Sequence, residues 1–201
     1  MNERWQEVAV AGHTGDVDTA RAALADADPQ VRQLGLGALE RLRSLTDDEV
    51  GEALVDIDAS VRRRAAILAA RRPGLSLLGA LGDTDPTVVE AAAWACGEQE
   101  RADDAVLDRL IELATSAADP LVREASAAAL GAIGDERGLA AVLHACTDKP
   151  AIRRRAVLAL AAFDGVEVDT ALQAALGDRD WQVRQAAEDV LRAGAGGGQR
   201  S

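Results

Sequence analysis

Apolar residues along this chain recur with a helical rather than a strand period. Between Asp104 and Ala114 they fall at Val106, Leu107, Leu110, Ile111 and Ala114, the i, i+1, i+4, i+5 spacing of one buried helix face. A polar break at Ala118-Asp119-Pro120 follows. Aspartate is a favoured helix N-cap, and proline suits the first helical position, where its missing N–H costs nothing. The pattern therefore predicts a second helix from Leu121 to about Ala132, ending near Gly134.

The same hairpin pattern returns along the chain. Asp-Pro-x-Val-Arg-x-x-Ala-x-x-Ala-Leu is clearest from Asp28 and Asp119, with variants from Asp58, Asp85 and Asp180, and a sixth copy at Lys149-Pro150-Ala151-Ile152-Arg153 with its aspartate displaced to Asp148. The anchors Val31, Val61, Val88, Val122, Ile152 and Val183 stand 27 to 34 residues apart, a period that signals stacked repeats. Two-helix units are expected near 15–43, 46–72, 73–101, 103–134, 135–163 and 166–192, forming a single solenoid over 1–192. Arg71-Arg72-Pro73-Gly74 shortens the first helix of the third unit. Glu3 to Ala11 reads as a lone helix capping the first unit, with Trp5 over its core. Gln185, Glu188, Asp189 and Arg192 give the last helix the polar outer face of a terminal cap. The glycine-rich 193–201 reads as a flexible tail.

This unit resembles the HEAT repeat, in the short form also found in phycobilin-lyase-like proteins, from about Gly15 to Arg192. The resemblance implies an all-α, right-handed α-solenoid of about six helix hairpins with an N-terminal capping helix. It also implies a row of structural charges, in which Arg32, Arg62, Arg123, Arg153 and Arg184 pair with Asp28, Asp58, Asp119, Asp148 and Asp180. The third unit has Val89 in place of the arginine. The fold carries no single function, because the scaffold hosts many.

Advancing 100° per residue from each anchor, taken as position 1, places positions 1, 5, 8 and 9 in the core and 3, 7 and 10 on the expected concave surface. Position 7 holds Ile67, Trp94 and Leu158, large apolar groups where solvent is expected. Two readings stand: neighbouring side chains bury them, or they line a recognition groove centred on Trp94 and flanked by Arg63 and Arg154. On the second reading the partner-binding residues are Arg63, Arg64, Ile67, Trp94, Arg154, Arg155 and Leu158, since tryptophan and arginine dominate binding hot spots.

Composition narrows the classes. The only aromatic residues are Phe163 and three tryptophans, so alanine and leucine build the core. Cys96 and Cys146 occupy slots where other repeats carry leucine and read as small core hydrophobes. The net charge of −12 is segregated: first helices and turns hold most carboxylates, second helices most arginines. No apolar run approaches a membrane span, and Met1-Asn2-Glu3-Arg4-Trp5 starts no signal peptide, so the expected setting is the cytoplasm. Abundant arginine beside a single lysine, Lys149, suggests a GC-rich bacterial genome.

The expected function is a non-enzymatic scaffold that binds a protein partner, an acidic segment suiting Arg63, Arg64, Arg154 and Arg155. Two alternatives come from the family. Some HEAT-like proteins are DNA glycosylases with a concave basic face, against which stand a pI of about 4.6 and the scarcity of phosphate-binding cations. A bilin-lyase-related chaperone role rests on resemblance alone. His13 and His144 lie far apart, the latter expected on a solvated helix face, so no metal or cofactor site and no catalytic constellation is expected.

Overall fold

A computed structural model describes residues 3–99 and 102–197, with side chains to 194. The protein is all-helical, 76% helix, with no strand among the described residues. It is an α-solenoid of HEAT-like repeats. The helices fall into two compact units, Met1–Ala95 and Cys96–Ser201.

The first unit opens with α1 (Glu3–Thr14), followed by α2 (Val17–Ala22), α3 (Pro29–Arg41), α4 (Asp47–Ala53), α5 (Ala59–Ala69), α6 (Leu78–Leu81) and most of α7 (Pro86–Gln99). Short 3-10 turns close some of these helices. The second unit takes the end of α7, then α8 (Asp104–Ser116), α9 (Pro120–Ile133), α10 (Leu139–Ala145), α11 (Pro150–Ala159), α12 (Val166–Ala175) and α13 (Trp181–Gly197). The third repeat's first helix, α6, is a single turn, as Pro73 and Gly74 require. α13 instead runs on to Gly197, into the segment expected as a tail. Alanines interleave with the glycines there, and no helix-breaking proline intervenes. Residues 198–201 of that expected tail lie outside the described residues.

Local chemistry sets the helix ends. Asp28, Asp58, Asp85, Asp119 and Asp180 each accept a hydrogen bond through Oδ1 from the amide two residues on, at 2.8–2.9 Å. Each such cap stabilises its helix by about 1 kcal/mol. Thr46 and Glu49 form a reciprocal capping box at α4. Gly134 ends α9 with a left-handed φ of 69°. A side chain is disfavoured in that conformation, so glycine serves there.

The six anchors are buried, each 3% exposed or less. In the first unit Val8 of α1 joins Ala20, Ala23, Val31, Ala38 and Leu39 in one cluster, so the N-terminal helix covers the first hairpin's core. Trp5, expected over that core, is exposed at its edge, and its indole Nε1 donates to Asp28 at 2.8 Å. In the second unit α9 and α11 approach so closely that a Cβ on Gly131 would lie 2.7 Å from the Ala159 Cα. Small residues at this crossing let the backbones nearly touch.

The charged row differs from the pairing implied by resemblance. No motif arginine bonds the carboxylate of its own turn. Arg32 instead forks onto Asp56, Arg62 onto Asp83, Arg123 onto Asp148 and Arg153 onto Asp178, through Nε and Nη2 at 2.6–3.1 Å. Each aspartate belongs to the turn of the following repeat. Meanwhile Nη1 of the arginine donates to carbonyls of its own turn, for example Arg32 to Asp26 and Ala27. The physical reason is a division of labour between carboxylates. Asp28, Asp58, Asp119 and Asp180 are taken up in capping helix amides. Except before Asp119, where Ala117 stands, an aspartate two residues earlier is left facing the preceding helix pair, and its Oδ1 accepts the cap residue's own N–H, as Asp58 N–H donates to Asp56 at 2.8 Å. In the fifth repeat Lys149 replaces the cap, and Asp148 serves Arg123 while only its carbonyl accepts from Arg153. At the N-terminus Arg4 fills the equivalent place beside Asp26, at 3.3 Å.

These pairs are mostly shielded, with side-chain exposures of 9–20%. Hydrogen bonding from Arg62, Arg123 and Arg153 holds the carboxyls of Asp83, Asp148 and Asp178 below the usual carboxylate range. Burial opposes ionisation at Asp56, yet Arg32 and the Asp58 amide outweigh it and lower that group too.

Candidate functional site

The free faces of the second helices carry every residue expected to meet a partner. In the first unit these stand on α5 and α7. Arg63 is exposed, while Arg64 and Ile67 are half-buried. The Arg64 guanidinium leans over α3, where a Cβ on Gly37 would lie 3.1 Å from Nη2. Trp94 is 44% exposed on α7, although its neighbours Ala92, Ala93 and Ala95 are fully buried. The ring therefore projects from a well-packed helix surface.

In the second unit α9 and α11 frame a shallow recess of about 400 Å³. Its floor is Ala128, Gly131 and Ala159, small residues that hold the helices close and leave the surface low. Leu158, 40% exposed, forms a wall and Arg155 a rim. Arg155 is exposed, with Glu124 of α9 at 3.7 Å. Arg154 is half-buried and has no ion-pair partner among the described residues. The recess thus offers an apolar wall beside one guanidinium, that of Arg155, a combination suited to a segment carrying both an aliphatic group and a carboxylate.

The two position-7 readings divide by residue. Ile67 is partly covered by its neighbours, whereas Trp94 and Leu158 stand out. The structure places Arg63, Arg64 and Ile67 together on α5, and Arg154, Arg155 and Leu158 together on α11. The charge segregation is also visible at the element level. Asp47, Asp48 and Glu52 on α4, Asp104, Asp108 and Glu112 on α8, and Glu167 and Asp169 on α12 are all exposed.

The residues missed in the sequence are the second aspartates, Asp26, Asp56, Asp83 and Asp178, and the arginine that opens the row, Arg4. A signal existed: Asp-x-Asp precedes four of the anchors, at 26–28, 56–58, 83–85 and 178–180. The row is also broken consistently in sequence. Val89 stands in the arginine position, and Ala117 in the aspartate position of the next repeat.

Both cysteines are shielded. Burial pushes the Cys96 thiol up to about 12 and that of Cys146 up to about 11. His144 is exposed, and among the described residues no three side chains of metal-ligand type lie together. No described helix is long and apolar enough to cross a membrane.

Comparison with known proteins bears on the fold. No curated protein matches the chain in sequence. Among solved structures, human deoxyhypusine hydroxylase in complex with glycerol is similar at 19% identity and a TM-score of 0.49, covering 94% of this chain and 78% of that one. An engineered protein is similar at 20% identity and a TM-score of 0.47, covering 94% and 86%. The family model for HEAT repeats matches residues 75–150 and 110–192. The matched stretch takes in more than half of the sequence, and the chain belongs to the HEAT-repeat family.

Proposed function

We propose that the protein is a non-enzymatic interaction scaffold that holds a protein segment against its second helices. The observation that carries this reading is the recess on α9 and α11, where Leu158 and Arg155 border a low floor of alanine and glycine. A protein segment with an aliphatic anchor and an acidic neighbour fits it. In the first unit Trp94 offers a separate anchor, with Arg63 exposed on α5. Exposed tryptophan and leucine on rigid helices lose little entropy when covered, and truncating such an anchor typically costs about 2 kcal/mol or more of binding.

The test is affinity capture from the native host, with wild type beside Leu158→Ala, Arg154→Gln and Trp94→Ala, followed by titration of the purified partner. Weakening of roughly thirtyfold by Leu158→Ala is expected. A partner whose affinity is unchanged in all three variants, each shown to be folded by circular dichroism, would eliminate the reading.

A further inference from the structure

Each motif arginine but one is saturated. Arg32, Arg62, Arg123 and Arg153 anchor Nη1 on carbonyls of their own turn, leaving Nε and Nη2 to grip the next repeat's aspartate. Arg184 on α13 is anchored in the same manner, Nη1 donating to the Asp178 carbonyl at 2.8 Å and that of Arg179 at 3.3 Å. Its Nε and Nη2 edge has no partner among the described residues. The carboxylates of its own turn are committed elsewhere, Asp178 to Arg153 and Asp180 to the Gln182 amide. A guanidinium is thus pre-oriented with its bidentate edge open, the arrangement that four other positions use to bind a carboxylate.

A second observation gives the site its apolar half. Trp181 lies three residues before Arg184, on the same helix face, and is 65% exposed. It stands where four other repeats carry proline, at Pro29, Pro86, Pro120 and Pro150. The neighbouring outer face of α13, Gln182, Gln185, Glu188, Asp189 and Arg192, is polar. Asp189 accepts from Gln185 and from Arg192, each at 3.0 Å. Such a face has no apolar stripe on which another helix hairpin would pack, so an extended acidic segment suits it better than a further repeat.

We propose that Arg184 and Trp181 form a docking point for an acidic segment of a partner protein. An aspartate or glutamate of that segment takes the bidentate place that the next repeat's aspartate holds elsewhere, and a neighbouring apolar side chain packs on the indole. Planar fork-to-fork pairing makes the site selective for a carboxylate over a neutral amide. This site is separate from the α9–α11 recess and does not depend on it.

The probe is the peptide acetyl-Asp-Ile-Asp-Pro-amide, which reproduces the protein's own turn chemistry, titrated into the full chain with nitrogen-15 in its arginine and tryptophan side chains. The expected result is saturable movement of the Arg184 Nε–H and Trp181 indole N–H signals, with those of Arg32, Arg62, Arg123 and Arg153 unmoved. Trp181→Ala should weaken the peptide roughly tenfold. Arg184→Lys, which keeps the charge but loses the fork, should abolish most of the indole response. Full binding by Arg184→Lys would overturn the bidentate assignment. So would an equal response to acetyl-Asn-Ile-Asn-Pro-amide, or equal movement at Arg63, Arg154 and Arg179. Movement of the Arg184 signal on concentrating the protein without peptide would assign the site to a second copy and also overturn the proposal.

Discussion

At the scale of single residues, burial decides chemistry. Cys96 and Cys146 sit where other repeats place leucine, and desolvation disfavours their thiolates. With thiols near 12 and 11, alkylation of the native protein at neutral pH should run more than about a hundredfold slower than for a free cysteine near 8.5. Iodoacetamide kinetics check this, and equal rates in native and unfolded protein would contradict it. Ser126 is the opposite case, polar yet buried. It is 0% exposed in the interior of the second unit, and its Oγ has no hydrogen-bond partner. The aligned positions Ala65, Ala92, Ala156 and Ala187 carry the residue the packing wants. Ser126→Ala removes an unsatisfied hydroxyl and should stabilise by about 1 kcal/mol, read as a rise in the denaturant midpoint with unchanged slope. The core role of Cys96 was legible from alignment of the repeats, while Cys146 is only half-buried. The unsatisfied state of Ser126 was not, because it depends on which carbonyls lie within reach in three dimensions.

Helices and their junctions are the scale at which the repeat works. Capping is local, so Asp28, Asp58, Asp119 and Asp180 could be placed at helix starts from sequence. The arginine row is not local, because each bond spans two repeats. Its stability contribution follows from partial burial: removing one partner strands the other in a poorly hydrated site. Arg123→Ala should cost about 2–4 kcal/mol, and the double change Arg123→Met with Asp148→Leu distinctly less, since no charge is then left unpaired. Chemical denaturation of the two variants distinguishes this from a simple loss of packing, which would make the double change at least as harmful. The same scale governs the candidate contact surface. Helical phase placed positions 1 and 5 in the core, but Ala70 and Gly97 at the expected free position 10 are buried, and exposure at position 7 depends on what the adjacent helix supplies. The greater exposure of Trp94 and Leu158 than of Ile67 was therefore unavailable from the helix alone.

Across the whole molecule, the paired aspartates make the architecture sensitive to acid. Asp83, Asp148 and Asp178 have folded-state pKa values below their unfolded ones, chiefly through hydrogen bonds from Arg62, Arg123 and Arg153. A depressed folded pKa stabilises above the unfolded value and loses that stabilisation as pH falls through the folded value. The paired aspartates should therefore contribute fully at neutral pH and fail together below about pH 4. A thermal melting point that is level from pH 7 to 5.5 and drops steeply below 4 is expected. A level profile down to pH 3 would show that the row contributes little. Solubility should separately pass through a minimum near the isoelectric point of about 4.6, where net charge no longer keeps molecules apart.

The sequence by itself determined the elements that depend on near neighbours: helical period, caps, the one-turn α6 and the buried valine anchors. It also determined the family, because a repeat must dock alike at every step and so writes the same residues each time. Only the tertiary structure decided which aspartate of the Asp-x-Asp turns holds an arginine. Both are equally acidic and lie two residues apart, but helix amides engage one while the preceding repeat presents its guanidinium to the other. That same geometry leaves the Nε and Nη2 edge of Arg184 without a partner among the described residues.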